Sequence, residues 1–419
     1  MKNERILLLI LAIIQFTHIL DFMIIMPLGS TLMETFDISP QQFSLIVSAY
    51  AISAFVSGII SAFFLDKFDR KSALIFAYIG FTIATFACAF SSGYVMFLAF
   101  RSLTGLFGGV LASLILSIVA DAVPLNRRAT AMSYIMMGFS TASVVGVPFG
   151  LYLAAMFTWQ VPFLVVAGIS TLMVLLTFVK LPTMRKHLET AHERPKAWAN
   201  IVGIFRNKNQ LRALSFTMLM MLGHFTIIPF IAPYMIRNVG FSEVNVSYIY
   251  FVGGLATFFI LPLFGRLADK YGHRKVYVIM GTASIVPLLL ITNLPAVSLA
   301  VALTVTTLFF IIASGRSVPA TTLVTSVVKP ENRAGFMSLR SSANELALAL
   351  ASIIAGAIVV EDEVTGTLLH YNWVGYVAVF MTILSVWVGS KLIAVDTGEP
   401  KKNEELESEA LELVEVLES

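Results

Sequence analysis

Charge is scarce in this sequence. Asp, Glu, Lys and Arg make up 13% of its 419 residues, about half the ~25% usual in soluble domains. That shortage excludes an ordinary water-soluble globule, and a hydrophobic content of 58% with 33 Phe points the same way. Cysteine is nearly absent. The one thiol, Cys88, lies in the third apolar run, so disulfides are excluded and the side chain reads as a small apolar filler. No glycine-rich loop precedes a lysine to cradle phosphates, which removes the sequence basis for an ATP-driven pump. Lys2 and Arg5 give a basic start. The first apolar run is nevertheless too long for a secretory signal, and no small-residue cleavage site follows it.

What is present is apolar length. Twelve stretches, at about 6–29, 42–65, 73–91, 95–119, 130–157, 160–180, 211–236, 244–266, 275–293, 296–323, 335–360 and 371–394, each suffice to cross a ~30 Å hydrocarbon core. Cations are distributed unevenly between the two sets of loops. One set carries Lys67, Arg70, Lys71, Arg127, Arg128, the basic stretch from Lys180 to Arg212, and Arg266 to Lys275, whereas the other carries only Arg237. The positive-inside rule then places both termini in the cytosol, in a cell (inner) membrane. Arg101, Arg316 and Arg340 fall within spans.

The chain repeats itself. "AFFLDKFDRK" (62–71) and "GRLADKYGHRK" (265–275) both follow an apolar span, and Asp66 and Asp269 are 203 residues apart. The same offset relates Ser39 to Ser242 and Ser44 to Ser247, while Arg128-Ala129 recurs as Arg333-Ala334 at an offset of 205. The expected fold is therefore an all-α integral membrane protein of twelve transmembrane helices, two six-helix pseudo-repeats around a central cavity. Residues 1–180 and 211–394 form the bundles, 181–210 a cytoplasmic linker and 395–419 an acidic cytoplasmic tail. "AWANIVGIF" in the linker reads as a short interfacial helix or a plain tether.

Ionisable residues inside the spans need explaining, because a buried charge there costs several kcal/mol unless it is paired or lines water. His18 and Asp21 sit a turn apart in span 1. At the 203 offset Asp21 maps onto His224 in span 7, and Pro27 and Pro229 follow these two residues. Parallel repeats place their sites between the halves near the midplane, so Asp21 and His224 are expected to face each other across a wet cavity.

At this point the chain resembles the major facilitator superfamily across all twelve spans. Its loop signature, Gly-x-x-x-Asp-(Arg/Lys)-x-Gly-(Arg/Lys)-(Arg/Lys), fits Gly265 to Lys275. The first copy departs from it at Ala62 and Asp69. Arg101, Gly105, Gly108 and Gly109 in span 4 resemble the pattern of proton-coupled members. Gly146, Pro148 and Gly150 in span 5 are similar to the drug and sugar efflux branch of drug:proton antiporters, although Trp159 is followed here by Gln160 where that branch often has Arg. The resemblance implies alternating access, a small-molecule substrate, protons and the lipid bilayer as partners, and neither cofactor nor nucleic acid. A monomer is expected.

The residues allow physical assignments. Asp121 is placed to pair with Arg70 or Lys71, and Asp66 to sit against the positive end of span 11. With Asp269 and Arg274 in the second copy, these contacts would hold the inner gate shut. Gly146, Pro148 and Gly150 would thin or bend span 5 over the outer cavity. Asp21 and Arg101 lie at similar depths, roughly 9–12 Å in, so an ion pair between them is expected. A carboxylate whose proton affinity depends on a nearby cation suits coupling. Protonation of Asp21 from outside would loosen the pair, favour the inward-facing state and compete with substrate. Glu345, on the same helix as Arg340 and Asn344, would meet Arg316 or share protons with His224. His18, Met220, Phe225, Arg316 and Asn344 are the candidate substrate contacts, thioethers and aromatic rings suiting amphipathic molecules.

The leading function is proton-coupled efflux of amphipathic drugs or sugar-like metabolites, and the protein is not expected to be an enzyme. The alternatives are proton-coupled uptake by symport and divalent metal export through His18, Asp21, His224 and Glu345.

Overall fold

The computed structural model describes residues 2–185, 203–329 and 333–395. The proposed interfacial helix in the linker and the acidic tail therefore fall largely or wholly outside the described residues. Twelve helices are long and apolar enough to cross a membrane. Spans 1–6 are Glu4–Ile24, Pro40–Ser61, Arg70–Ala89, Tyr94–Ala122, Thr130–Met156 and Val161–Lys180. Spans 7–12 are Lys208–Arg237, Glu243–Tyr271, His273–Thr292, Leu299–Thr325, Gly335–Ile358 and Tyr371–Ser390. Odd-numbered spans start at the end of the molecule that carries the termini, and even-numbered spans start at the far end.

Local chemistry shapes the helices. Ser39 caps span 2, accepting from the Gln42 amide at 3.3 Å while the Gln42 side chain accepts from the Ser39 amide at 2.9 Å. Its repeat counterpart, Ser242, caps span 8 through the Asn245 amide. Proline interrupts several spans because it lacks the amide that would bond four residues back. Span 1 stops at Ile24 and resumes beyond Pro27 as Gly29–Phe36. Span 7 stops at Phe225 and resumes around Pro229 as Ile228–Arg237. Span 5 carries a wider π turn at Ala142–Gly146, just before Pro148. Spans 9 and 10 break at Ser284 and Arg316, three residues ahead of Pro287 and Pro319.

Within membranes, close helix packing relies on small residues. A Cβ on Gly105 would lie 2.2 Å from the Tyr50 carbonyl oxygen, and one on Gly109 2.2 Å from that of Ala54. Span 4 therefore rests directly on the backbone of span 2. Between the halves, span 2 packs on span 11 and span 5 on span 8.

The two ends of the molecule differ. At the far end a single apolar cluster unites both halves, with Ile24, Leu28, Leu32 and Phe43 from the first and Phe230 and Met235 from the second. Phe43 meets Phe230 edge to face, ring centroids 5.8 Å apart. Hydrogen bonds from Ser352 to the Ser44 carbonyl, at 3.0 Å, and from Thr31 to Glu243 cross the same seam. At the termini end each half has its own core. Leu7, Leu74, Tyr78 and Ile118 belong to the first; Phe216, Tyr277, Val324 and Phe336 belong to the second. The molecule is sealed at the far end and divided at the other.

Candidate transport site

Asp21 and Arg101 meet inside the first bundle. Arg101 Nη1 donates to Asp21 Oδ2 at 2.7 Å, and both side chains are fully buried. The second carboxylate oxygen accepts from Thr85 Oγ1 at 3.2 Å. The guanidinium lies over the Tyr50 ring, 4.7 Å from its centroid, a cation–π contact. Thr85 and Tyr50 were not singled out in the sequence. A neutral hydroxyl and an aromatic face on apolar spans carry no signal until the ion they serve is located.

A narrow cleft lies between the halves. The first half lines it with His18, Ala54, Gly58, Gly108, Ser113 and Leu116 among others, and span 11 with Ser338, Ser341, Ser342 and Glu345. It runs from His18 and Glu345, near mid-span, toward Leu116 and Ser338, nearer the termini end. Asp21 and His224 do not line this cleft. The expectation that they face each other across it is corrected: Asp21 lies behind the wall, ion-paired. His224 is stacked on Phe309, 5.6 Å between ring centroids, with Phe225 edge-on at 5.2 Å. The ion pair is intact in this arrangement.

The other second-half candidates are dispersed by helix rotation. Arg316 is buried and donates to Ser284 Oγ and Thr382 Oγ1 at 3.3 and 3.1 Å, with no carboxylate within 4.0 Å among the described residues. It does not meet Glu345. Arg340 reaches Thr321 Oγ1 at 3.2 Å. Asn344 is half-buried with an unpartnered Oδ1. Met220 packs into the apolar core of the second half, and the half-buried Phe225 packs at the seam between the halves, beside Ala51 and Leu348; a flexible thioether and a phenyl ring fill gaps between helices as readily as they line a pocket. Of the five expected substrate contacts, His18 alone lines the cleft. Among the described residues, no three His, Cys, Asp or Glu side chains gather as metal ligands, so the four residues considered for a metal are not brought together.

The signature loops hold each half together. Arg70 Nε pairs with Asp121 Oδ2 at 3.0 Å and Arg70 Nη1 donates to the Leu65 carbonyl at 3.0 Å. Spans 3 and 4 are thereby joined inside one bundle, and the pair does not bridge the halves. Lys71 Nζ donates to the Phe178 carbonyl at 2.9 Å. In the second copy Arg274 donates to the Leu392 carbonyl, and Asp269 lies 3.8 Å from His273. The side chain of Asp66 is outside the described residues. Gly146 and Gly150 pack against Leu20 and Ile24 of span 1, with Pro148 buried beside them.

The departure at Asp69 has a physical basis. Gly272, its counterpart, adopts φ +89°, whereas Asp69 sits at φ −57° and caps span 3. Its carboxylate accepts from the Ser72 amide at 3.0 Å, the Ser72 hydroxyl at 2.9 Å and the Met184 amide at 2.7 Å. Burial alone would raise its proton affinity. The hydrogen bonds from Ser72 and Met184, with the Arg185 charge, outweigh that and hold the carboxyl below its ordinary value.

Two six-helix halves, sealed at one end around a polar cleft, define a polytopic membrane transporter fold. The sequence profile of the Major Facilitator Superfamily matches residues 11–225 and 213–419, and the chain belongs to that family. It is 23% identical over 358 residues to the uncharacterized MFS-type transporter YbcL of Bacillus subtilis (strain 168), covering 85% of this chain and 88% of that one. It is 26% identical over 248 residues to the "Probable sugar efflux transporter" of Helicobacter pylori (strain ATCC 700392 / 26695), covering 59% of this chain and 62% of that relative. A crystal structure of a D-xylose-proton symporter superposes with a TM-score of 0.75 at 16% identity, over 93% of this chain and 97% of that one. That likeness is one of fold.

Proposed function

We propose that this protein is a secondary active transporter that exports a small molecule in exchange for protons by alternating access. The observation that carries the reading is the Asp21–Arg101 pair, sealed in the wall one turn beyond His18, which lines the cleft. Support for export comes from the glycine–proline pattern of span 5 and from the similarity to a protein named for sugar efflux. Support for a cytosolic termini end comes from the clustering of Lys and Arg there. The linker at 181–210 and the tail at 395–419 are then cytosolic, and the protein works as a monomer.

In this cycle the state described here faces the cytosol. Asp21 has released its proton and is held by Arg101, and the cleft loads substrate. Once the halves rock outward, a proton arriving at Asp21 neutralises it and weakens its hold on Arg101, favouring the return. Glu345 and His18 face the loading cleft and take part in binding. Arg70–Asp121, Lys71 and Arg274 keep each bundle rigid as it moves.

The test is flux into everted vesicles acidified inside, comparing the parent with Asp21→Asn. The expected result is gradient-driven substrate entry in the parent and its loss in Asp21→Asn, with substrate binding retained. Undiminished pH-driven flux in the Asn variant would reject the coupling role. Movement of substrate in the same direction as the protons would assign symport instead.

A further inference from the structure

We infer that the cleft takes a small polyhydroxylated molecule carrying a protonated amine, with the ammonium on Glu345 and the hydroxyls on the serines of span 11. This rests on the reading of the cleft as the loading site. Among the described residues Glu345 is the only Asp, Glu, Lys or Arg lining the cleft. Among the described residues it has no hydrogen-bond or ion-pair partner. A carboxylate at this depth is costly unless something compensates it. The basic groups on neighbouring helices are committed elsewhere: Arg101 to Asp21, Arg316 to Ser284 and Thr382, Arg340 to Thr321. A cationic ligand supplies what the protein does not.

The hydroxyls add a second constraint. Ser338, Ser341, Ser342 and Glu345 follow the i, i+3, i+4, i+7 spacing of one helical face, and all four line the cleft. Ser342 donates to the Ser338 carbonyl at 3.4 Å and Ser113, opposite, to the Gly109 carbonyl at 3.1 Å. Their protons are thus spent on their own helices, and their lone pairs remain to accept. A lining of acceptors around a carboxylate suits a ligand rich in donors, as hydroxyls and an ammonium are.

Gly108 lets two polar side chains close up on span 4: a Cβ there would stand 2.6 Å from Tyr50 Oη and 2.8 Å from His18 Nε2. Both atoms are buried and lack a partner among the described residues. Of the two residues His18 lines the cleft, where a ligand hydroxyl satisfies its ring nitrogen. Among the described residues no Phe, Tyr, Trp or Met lines the cleft, which argues against a flat lipophilic drug.

The test measures binding to the purified full-length protein by ligand-induced thermal stabilisation. It uses matched pairs that differ in charge: D-glucosamine with N-acetyl-D-glucosamine, and glucamine with sorbitol. The expected result is a preference for the amine, on the order of tenfold or more, in at least one pair. Glu345→Gln should abolish that preference and Glu345→Asp should retain part of it. Absence of an amine preference in both pairs, failure of all four to bind included, overturns the inference. So does a preference that survives in Glu345→Gln. Failure of the antiport reading is seen separately: a bound amine whose flux ignores the pH gradient rejects antiport and leaves the site intact.

Discussion

Removing half of the Asp21–Arg101 pair should be far more damaging than removing all of it. Asp21 accepts from Arg101 Nη1 and Thr85 only, and Arg101 Nε has no partner even in the intact protein. Arg101→Met leaves a buried carboxylate with one neutral donor, and Asp21→Leu leaves a buried guanidinium with the Tyr50 ring and the neutral Cys88 side chain. Each single change is expected to cost about 3–5 kcal/mol, because an uncompensated charge remains in a dry setting. That is roughly 10² to several 10³-fold in the folded-to-unfolded ratio. The double variant Asp21→Leu/Arg101→Met puts apolar groups of similar size in both places. It is expected to recover most or all of the loss, since replacing a whole buried pair is often neutral or stabilising. The assay is unfolding of the purified proteins in mixed micelles by SDS titration, with the surviving monodisperse fraction after heating as a second readout. A double variant as unstable as its worse parent would refute the reasoning, as would an Arg101→Met protein with undiminished stability. The recovered double variant should still be inactive in pH-driven transport.

Asp69→Ala should cost about 0.5–2 kcal/mol at neutral pH by removing the cap of span 3. The folded carboxyl lies below its ordinary value, so its contribution is complete at neutral pH. It fades as pH falls through about 4 toward the folded value. Thermal unfolding between pH 7 and pH 3.5 should show the parent losing this increment and the variant not; parallel curves would contradict the assignment. In a Cys88→Ser background, Ser113→Cys and Ser338→Cys should react with a membrane-impermeant maleimide in everted vesicles, while Ser44→Cys in the far-end seam resists the reagent in right-side-out vesicles. Brisk labelling of Ser44→Cys from outside would contradict a sealed far end.

The spans, the repeat and the buried ion pair were legible in the sequence for one reason. Each depends on a residue type standing where its neighbours forbid it, and Asp21 and Arg101 are such residues at matched depth. The identity of the cleft lining was not legible, because it depends on how each helix is rotated about its axis. His224 maps onto Asp21 by register, yet its ring turns to Phe309. Met220 and Phe225 looked like pocket residues by composition and serve as core. The serine face of span 11 did carry a signal in its i, i+3, i+4, i+7 spacing, but small hydroxyls draw less notice than the arginine and asparagine beside them. Asp69 shows the opposite case: a departure from the loop signature that proves to be a helix cap.

The plug at the far end rides on two stubs, Gly29–Phe36 and Ile228–Arg237, that are severed from the rods below them at Ile25–Leu28 and at Thr226–Ile227. A stub can swing on its own pivot while the rod beneath keeps Asp21 clamped. In the proposed cycle such joints would let the far end part while Asp21 stays held by Arg101.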